Sequence, residues 1–239
     1  MQKIKTGIDA PAVPISYGLV GLIFLVEAAL TPANYGRIGL IVVGISFVIG
    51  CGLFLRTSLI GKALIWTKLL DEAGVLPTDQ ALDLGCGHGA ILYRVAERLT
   101  LPGTVTGVDL WHSRDQSKNS LAATQTNLNR WGISDRTNLI TADMATLPLP
   151  PAKYDLVTAS FALHNVKPTK RREQALREAV RVLKPGGKLL IVDTGHNRKE
   201  YQQVLTAMDC CIVQARGLGI DGWWSGPWMP SYMIWAVKK

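Results

Sequence analysis

Apolar positions in this chain change their spacing twice, and each change predicts a different kind of element. Ala12 to Leu30 is apolar except for Glu27, and Ile38 to Leu55 is an uncharged run of 18 residues. A helix of that length crosses a hydrocarbon core. Thr31-Pro32 closes the first run and Thr31 to Arg37 makes a tight connection, so the pattern predicts a helical hairpin. A secretory signal is the alternative, but no small-residue cleavage pattern accompanies the runs and two spans follow one another.

From Thr57 to Glu72 the apolar residues fall at 59, 60, 63, 66 and 70, with Lys62, Thr67 and Lys68 opposite. That is a helical period. Such a helix can lie on a membrane or pack into the core as the first helix of a catalytic domain, and the two are compatible. Gly74 to Asp79, with Pro77, ends it. Strand and helix patterns then alternate: strands 80–85, 104–109, 137–142, 154–160 and 187–193, with helices 89–99, 115–131, 169–183 and 198–209. Cys211 to Arg216 and Ser231 to Val237 complete the set as a last strand pair around an aromatic loop. Alternation of this kind predicts an α/β doubly wound sheet, mostly parallel, with helices on both faces. The expected organisation is residues 1–56 as a membrane anchor of two transmembrane helices and 57–239 as a catalytic domain.

Charge orients the hairpin and limits the partners. Lys3 and Lys5 precede the first run, Arg56, Lys62 and Lys68 follow the second, and only Arg37 lies between. By the positive-inside rule both ends face the cytoplasm, giving a multi-pass membrane protein with its catalytic domain on that side. The net charge of +8 invites a nucleic-acid reading. However, the excess outside the hairpin is spread without a dense Lys/Arg block, which favours an anionic lipid surface. No nucleic acid is expected as partner. Cys51, Cys86, Cys210 and Cys211 suggest no disulfide framework and no metal site is expected.

The candidate chemistry centres on Ala81-Leu-Asp-Leu-Gly-Cys-Gly-His-Gly-Ala90, a strand, a glycine-rich turn and a helix start. Gly85, Gly87 and Gly89 can take positive φ and have no Cβ to block a ligand, while Asp83 adds a carboxylate at the strand end. A cofactor with a positive charge and a ribose suits that site. Alone the loop also satisfies a dinucleotide fingerprint, Gly85-x-Gly87-x-x-Ala90. The rest of the chain narrows it: Val105-Thr-Gly-Val-Asp109 and Asn138-Leu-Ile-Thr-Ala-Asp143 are further strands leading to acids, followed by Tyr154 to Ser160 and the run Leu183-Lys-Pro-Gly-Gly187.

In that ordered set the sequence resembles the class I S-adenosylmethionine-dependent methyltransferases, over roughly Thr78 to Ala236. The resemblance implies a seven-stranded Rossmann-like sheet of order 3-2-1-4-5-7-6 with strand 7 antiparallel. It also implies S-adenosyl-L-methionine as cofactor, with Asp83, Gly85, Gly87 and Gly89 around its methionine portion and Asp109 on the ribose hydroxyls. Asp143, Met144 and Leu110 would hold the adenine, and Ser160 would close the site after the fourth strand. The Asp/Asn-Pro-Pro-aromatic sequence of amine-methylating nucleic-acid enzymes is absent there, as is the acid of a metal-dependent catechol type. The nearest resemblance is to the ubiquinone and menaquinone biosynthesis C-methyltransferases, whose frequent Leu-His-His is here Leu163-His164-Asn165.

His164 is the candidate catalytic residue, as a general base or orienting donor toward a phenol or enol; the alternative is a histidine bonded to backbone that shapes the pocket floor. Asp193 reads equally as a pocket residue or an end-of-strand cap. Four of the seven tryptophans fall between Gly222 and Trp235. Trp223, Trp224 and Trp228 can wall an apolar acceptor pocket or anchor the domain at lipid headgroups, and Trp235 suits core packing. The expected function is methyl transfer from S-adenosylmethionine to a lipophilic small molecule, a quinol or phenol or another lipid, drawn from the bilayer. The rivals are another group transfer with the same cofactor, and a non-catalytic tethered binding module.

Overall fold

The computed structural model describes residues 8–112 and 119–239. Its N-terminal part is the expected hairpin: α1 spans Ala12–Leu30 and α2 spans Tyr35–Arg56, with Asn34 Oδ1 capping α2 by accepting from the Arg37 amide at 3.0 Å. Small residues let the helices touch. A Cβ on Gly44 would meet Leu25 Cγ at 2.7 Å, and one on Gly21 would meet the Gly44 carbonyl oxygen at 3.0 Å. Gly50 rests on Tyr17, so that small residue serves contact within the chain, whereas Ser46 faces outward. The outer surface of the pair is a continuous display of Ile15, Leu19, Leu22, Ile23, Ile45 and Ile49. Both helices are long and apolar enough to cross a membrane, and few of their residues are buried.

α2 does not stop at the end of its apolar run. It passes through one π-helical turn, Thr57–Gly61, into α3, Lys62–Ala73, making one unbroken helical path from Tyr35 to Ala73. A π-turn inserts a residue into the helical ladder and rotates the faces on either side of it. Beyond it Ile65, Trp66, Leu69, Leu70 and Ala73 turn inward, and the left-handed Gly74 ends the helix. A helix is thus seen over Thr57 to Glu72, but its inward face is not wholly the expected one: Trp66 and Leu70 are buried, whereas Leu59 and Ile60 are exposed.

The sheet contains β1 (Gln80–Leu84), β2 (Thr104–Asp109), β3 (Thr137–Thr141), β4 (Tyr154–Ser160), β5 (Leu183–Thr194), β6 (Cys210–Gly217) and β7 (Ser231–Lys238). Their order is 3-2-1-4-5-7-6 with β7 antiparallel to both neighbours, as the resemblance implied. The helices are α4 (Ala90–Ala96), α5 (Leu121–Trp131), α6 (Thr169–Val182) and α7 (Arg198–Ala207). Alternation along β1 sends Leu82 and Leu84 to the face packed by α6 and α7, and Ala81 to the face packed by α3 and α4.

Some boundaries differ from the sequence pattern. The helix expected over 115–131 is seen from Leu121, where Ser120 Oγ accepts from the Ala123 amide at 3.1 Å; residues 115–118 of that expectation lie outside the described residues. The strand expected from 187 begins at Leu183, because Leu183 pairs with Tyr154 while Lys188 pairs with Leu156. Lys184-Pro-Gly-Gly187 is therefore a bulge within β5 rather than a turn before it. α4 closes at Ala96, before the expected 99.

The loop between β6 and β7 is fastened to the helical path at the π-turn. Arg56 Nη2 donates to Asp221 Oδ1 at 2.7 Å and its Nη1 to the Ile220 carbonyl at 3.2 Å, while Thr57 Oγ1 donates to the Trp223 carbonyl at 2.6 Å. Gly61 sits so close that an added Cβ would lie 2.1 Å from the Asp221 carbonyl oxygen. Overpacking a rigid contact costs about 1–3 kcal/mol, which for a domain of this size corresponds to a Tm loss of roughly 3–10 °C. Gly61→Ala is expected to lower the Tm of the detergent-solubilised protein within that range. Gly39→Ala, with nothing within 4 Å of its added Cβ, is the matched control, and equal Tm values for the two variants would contradict the contact.

Candidate active site

The carboxyl ends of β1, β2 and β4, with the segment after β3, surround a cavity of about 400 Å³. Parallel strands with crossover helices open such a crevice where the strand order reverses, here between β1 and β4. Of the sequence-predicted residues, Gly85, Gly87, Asp109, Leu110, Asp143, Met144 and Ser160 line it. Asp83, Gly89 and His164 do not.

The turn after β1 is held by the Gly85 and Cys86 amides, which both donate to the Val108 carbonyl, at 2.8 and 3.2 Å. Gly85 has φ +70°, and a Cβ there would meet Ala162 Cβ at 2.4 Å. Only glycine fits that close passage between strand ends. Gly89 is left-handed at the cap of α4 and contributes backbone shape, not cavity surface.

Asp109 organises the neighbouring wall. Its Oδ2 accepts from the Gly87 amide at 2.8 Å, and its Oδ1 accepts from the Trp111 amide at 2.6 Å and from Asn119 Nδ2 at 3.2 Å. A carboxylate has about four acceptor positions, so one remains for a ligand hydroxyl. Asn119, also on the cavity, has a buried Oδ1 with no partner among the described residues. Asp143 is tied through Oδ1 to the Ala145 amide at 2.8 Å and through Oδ2 to Arg171, which also lines the cavity.

Asp83 lies behind the glycine turn and is 1% exposed. Its Oδ1 accepts from Thr158 Oγ1 at 2.7 Å, but its Oδ2 has no partner among the described residues. Burial pushes its pKa up to about 7, partly offset by the Thr158 hydrogen bond, with the Asp109 charge adding to the rise. The same burial and the same carboxylates push the Cys86 thiol well above its ordinary value, so it stays neutral.

His164 does not line the cavity; it is held by a polar cluster at the end of β5. Its Nδ1 is 2.5 Å from Asp193 Oδ1 and its amide donates to Asp193 Oδ2 at 3.1 Å. Asp193 is itself buried and also accepts from Tyr201 Oη at 2.9 Å and from the Thr194 amide at 2.9 Å. Burial and the adjacent Asp193 raise the Tyr201 pKa, keeping it a neutral donor. The cluster fixes the turn that presents Asn165 and Val166 to the cavity, and the His164 ring is bonded to the Asp193 side chain rather than to backbone.

Several cavity residues carry no sequence signal. Lys62, from the first turn of α3, reaches the rim and grips Asp9 at 2.7 Å, and Ser58 Oγ donates to the same carboxylate at 3.0 Å. Trp66, fully buried on α3, donates its indole N–H to Ser160 Oγ at 2.9 Å. Phe161, next to it, lines the cavity with φ +51°, an outlier for a bulky side chain. A conformation forced by tertiary contacts leaves no trace in local propensity.

Residues 82–191 match the family described as "Methyltransferase domain". A solved structure of a SAM-dependent methyltransferase from Aquifex aeolicus superposes with a TM-score of 0.59 at 19% identity, covering 73% of this chain and 89% of that one. Residues 82–191 thus resemble a methyltransferase domain, on the fold that S-adenosylmethionine-dependent methyltransferases share. Among curated relatives, the ubiquinone/menaquinone biosynthesis C-methyltransferase UbiE of Shewanella sediminis is 32% identical over 130 residues, 54% of this chain and 48% of that protein. The chloroplastic 2-phytyl-1,4-beta-naphthoquinone methyltransferase of Arabidopsis thaliana is 31% identical over 155 residues, 64% of this chain and 56% of that protein. The matched part thus spans about half the length of these relatives. The [4+2]-cyclase SpnF has the same fold at TM-score 0.61 and 19% identity, covering 97% of this chain and 98% of that one. One fold therefore serves more than one reaction.

The cavity suits the cofactor of this methyltransferase family. Its volume falls within the range of small-molecule clefts. Asn119 Oδ1 and the open position on Asp109 call for hydroxyl donors, and the Gly85 passage leaves bare backbone for close approach.

The raised Asp83 pKa has a stability consequence. Between about pH 4 and pH 7 the cofactor-free folded protein keeps a proton that the unfolded chain has released, so its stability falls as pH rises through that window and levels off above it. The slope from this one group approaches ~1.4 kcal/mol per pH unit. Asp83→Asn is expected to remove this component, so that denaturant midpoints of the two proteins diverge steadily from pH 4 to 7. Parallel profiles would show that Asp83 is ionised throughout.

Proposed function

We propose that this protein is a membrane-anchored methyltransferase that moves a methyl group from S-adenosylmethionine to a lipophilic acceptor of the quinol or phenol class, taken from the bilayer. Residues 1–56 are the anchor and 57–239 the catalytic domain, with both ends of the hairpin at the cytoplasmic surface. The observation that carries this reading is the single helical path from the apolar hairpin to Lys62 and Trp66, which puts the cavity rim directly beneath the hairpin. The names of the relatives support the acceptor class, since they are quinone and naphthoquinone methyltransferases. The outward apolar surface of α1 and α2 supports the bilayer.

When bound, the cofactor supplies an electrophilic methyl group on a sulfonium centre. The chain's own part is positioning. Asp109 accepts from the ribose hydroxyls through its open position, Leu110 and Met144 flank the adenine, and Asp143 accepts from its amino group. Gly85 and Gly87 let the methionine portion pass over backbone, and Asp83 ionises to neutralise the incoming positive charge. Ser160 and Phe161 face the side from which the acceptor arrives. Holding donor and acceptor in line in a site shielded from water supplies much of the rate in a displacement of this kind.

The functional test is incubation with methyl-labelled cofactor and a host lipid extract, followed by mass spectrometry. A labelled, lipid-soluble product heavier by one CH₂ is expected. Cofactor binding without such a product would favour a different group-transfer chemistry, and no cofactor binding would favour a tethered binding module. Asp109→Ala is expected to weaken cofactor binding by roughly 10- to 100-fold in calorimetry, the size of a lost charged hydrogen bond. An unchanged Kd would remove Asp109 from the ribose. A cation beside Asp83 lowers its pKa, so binding at pH 6 is expected to release a proton, read as a dependence of the binding enthalpy on buffer ionisation; no dependence would remove Asp83 from the cation.

A further inference from the structure

The loop between β6 and β7 climbs the helical path to which it is fastened. Asp221 lies against Gly61 and is bonded by Arg56, the Trp223 carbonyl accepts from Thr57 Oγ1, and Trp224 packs on Phe54 with ring centroids 4.9 Å apart. One residue on, the Ser225 carbonyl oxygen would lie 3.3 Å from a Cβ added to Gly50, and Tyr17 Oη of α1 donates to Ser225 Oγ at 3.5 Å. Successive loop residues thus meet the path at 61, 57, 54 and 50. The tip stands alongside the apolar run, not below it.

Its height follows from helix geometry. Gly50 is six residues above Arg56, the first charge after the run, and Tyr17 is five residues into α1; at 1.5 Å per residue both put Ser225 roughly 8–9 Å past the charged end of the hairpin. A bilayer surface drawn above the loop would leave only residues 38–49 of the apolar run, about 18 Å, to cross a hydrocarbon core of about 30 Å. That is too short. With the loop inside the boundary, the whole of Tyr35–Arg56 is available, about 33 Å.

The composition of the loop suits that depth. Residues 222–237 carry no charged side chain, and the tip at 227–230 is exposed, Trp228 to 64%. Its polar groups turn inward: Trp228 Nε1 donates to Ser225 Oγ at 3.2 Å, the Met229 amide to the Gly226 carbonyl at 3.1 Å, and the Trp224 amide to the Met229 carbonyl at 3.1 Å. Pro227 and Pro230 have no N–H to leave unpaired. Indole is favoured at the membrane–water interface, and polar groups paired within the loop lower the cost of leaving water.

We propose that the tip at residues 227–230 is a second membrane contact, inserted at the boundary of headgroups and acyl chains with Trp228 as its anchor. The proposal rests on the reading that the hairpin crosses a bilayer, and adds where the sheet domain itself enters it. A second contact fixes the tilt of that domain against the lipid surface.

Spin labelling measures the depth. Full-length protein carrying Cys51→Ser and Cys211→Ser, which leaves only the buried Cys86 and Cys210, takes a nitroxide at Trp228→Cys, Ile45→Cys or Asp135→Cys in vesicles of phosphatidylcholine and phosphatidylglycerol. Ile45 is exposed on the hairpin, and Asp135 is exposed ahead of β3, at the end of the sheet opposite the cavity. The label at 228 is expected roughly 5–10 Å inside the surface, reached by oxygen more than by a water-soluble nickel chelate. The label at 45 is expected deeper, and that at 135 in water. A second readout needs no label: Trp228→Phe is expected to lower the quenching of tryptophan fluorescence by brominated lipid, and unchanged quenching would contradict insertion. If the label at 45 is in lipid while that at 228 is as open to nickel chelate as that at 135, the second contact is overturned and the anchor stands. If the label at 45 is also in water, the functional reading fails and this inference fails with it.

Discussion

The helical path from Tyr35 to Ala73 is the constraint on which the rest of the molecule depends. Its first half belongs to a hairpin that buries little of its apolar surface, and its second half contributes Trp66, Leu69 and Leu70 to the core on one face of the sheet. A flexible linker between these parts would let the domain tumble. The π-turn at Thr57–Gly61 instead rotates the inward face onto the sheet, and Arg56, Thr57 and Gly61 lock the β6–β7 loop against it. Side chains remote in sequence thereby line one cavity, Asp9 and Lys62 with Ser160 and Phe161, while Trp224 packs behind Phe161 against Phe54 of α2.

Three carboxylates lie at or behind one wall of the cavity. Asp83, Asp109 and Asp143 converge from three adjacent strands, yet each is treated differently by its surroundings. Asp109 is nearly saturated by backbone and Asn119 donors, Asp143 is paired with Arg171, and Asp83 is buried with one oxygen unused. Burial without a full set of partners raises a carboxyl pKa, and a bound cation reverses that rise.

Much of this was legible in the sequence because it depends on local pattern. Uncharged length marks the hairpin, period-2 and period-3.6 runs mark the sheet and its helices, and the ordered glycine and acid set marks the strand ends where Gly85, Asp109 and Asp143 line one cavity. What was not legible depends on contacts between distant segments. Nothing near Lys62 announces Asp9, and nothing near Ser160 announces Trp66. His164 is a further case: its residue type and position after β4 suit a base, but it does not line the cavity, and its ring is held by Asp193, 29 residues on. Within the tryptophan loop the pattern did not tell buried from exposed rings: Trp224 is buried against Phe54 and Phe161, while Trp228 is exposed.

The central claim is that a water-soluble donor site is held at a membrane so that the acceptor reaches it through the lipid. Surface-dilution kinetics test this most directly, with the full chain reconstituted in vesicles at fixed total acceptor while the bulk lipid in those vesicles is increased. If the acceptor arrives from the bilayer, the initial rate falls in proportion to its mole fraction, and acceptor placed in separate vesicles is methylated far more slowly. A rate that ignores mole fraction and treats both vesicle populations alike would contradict the account.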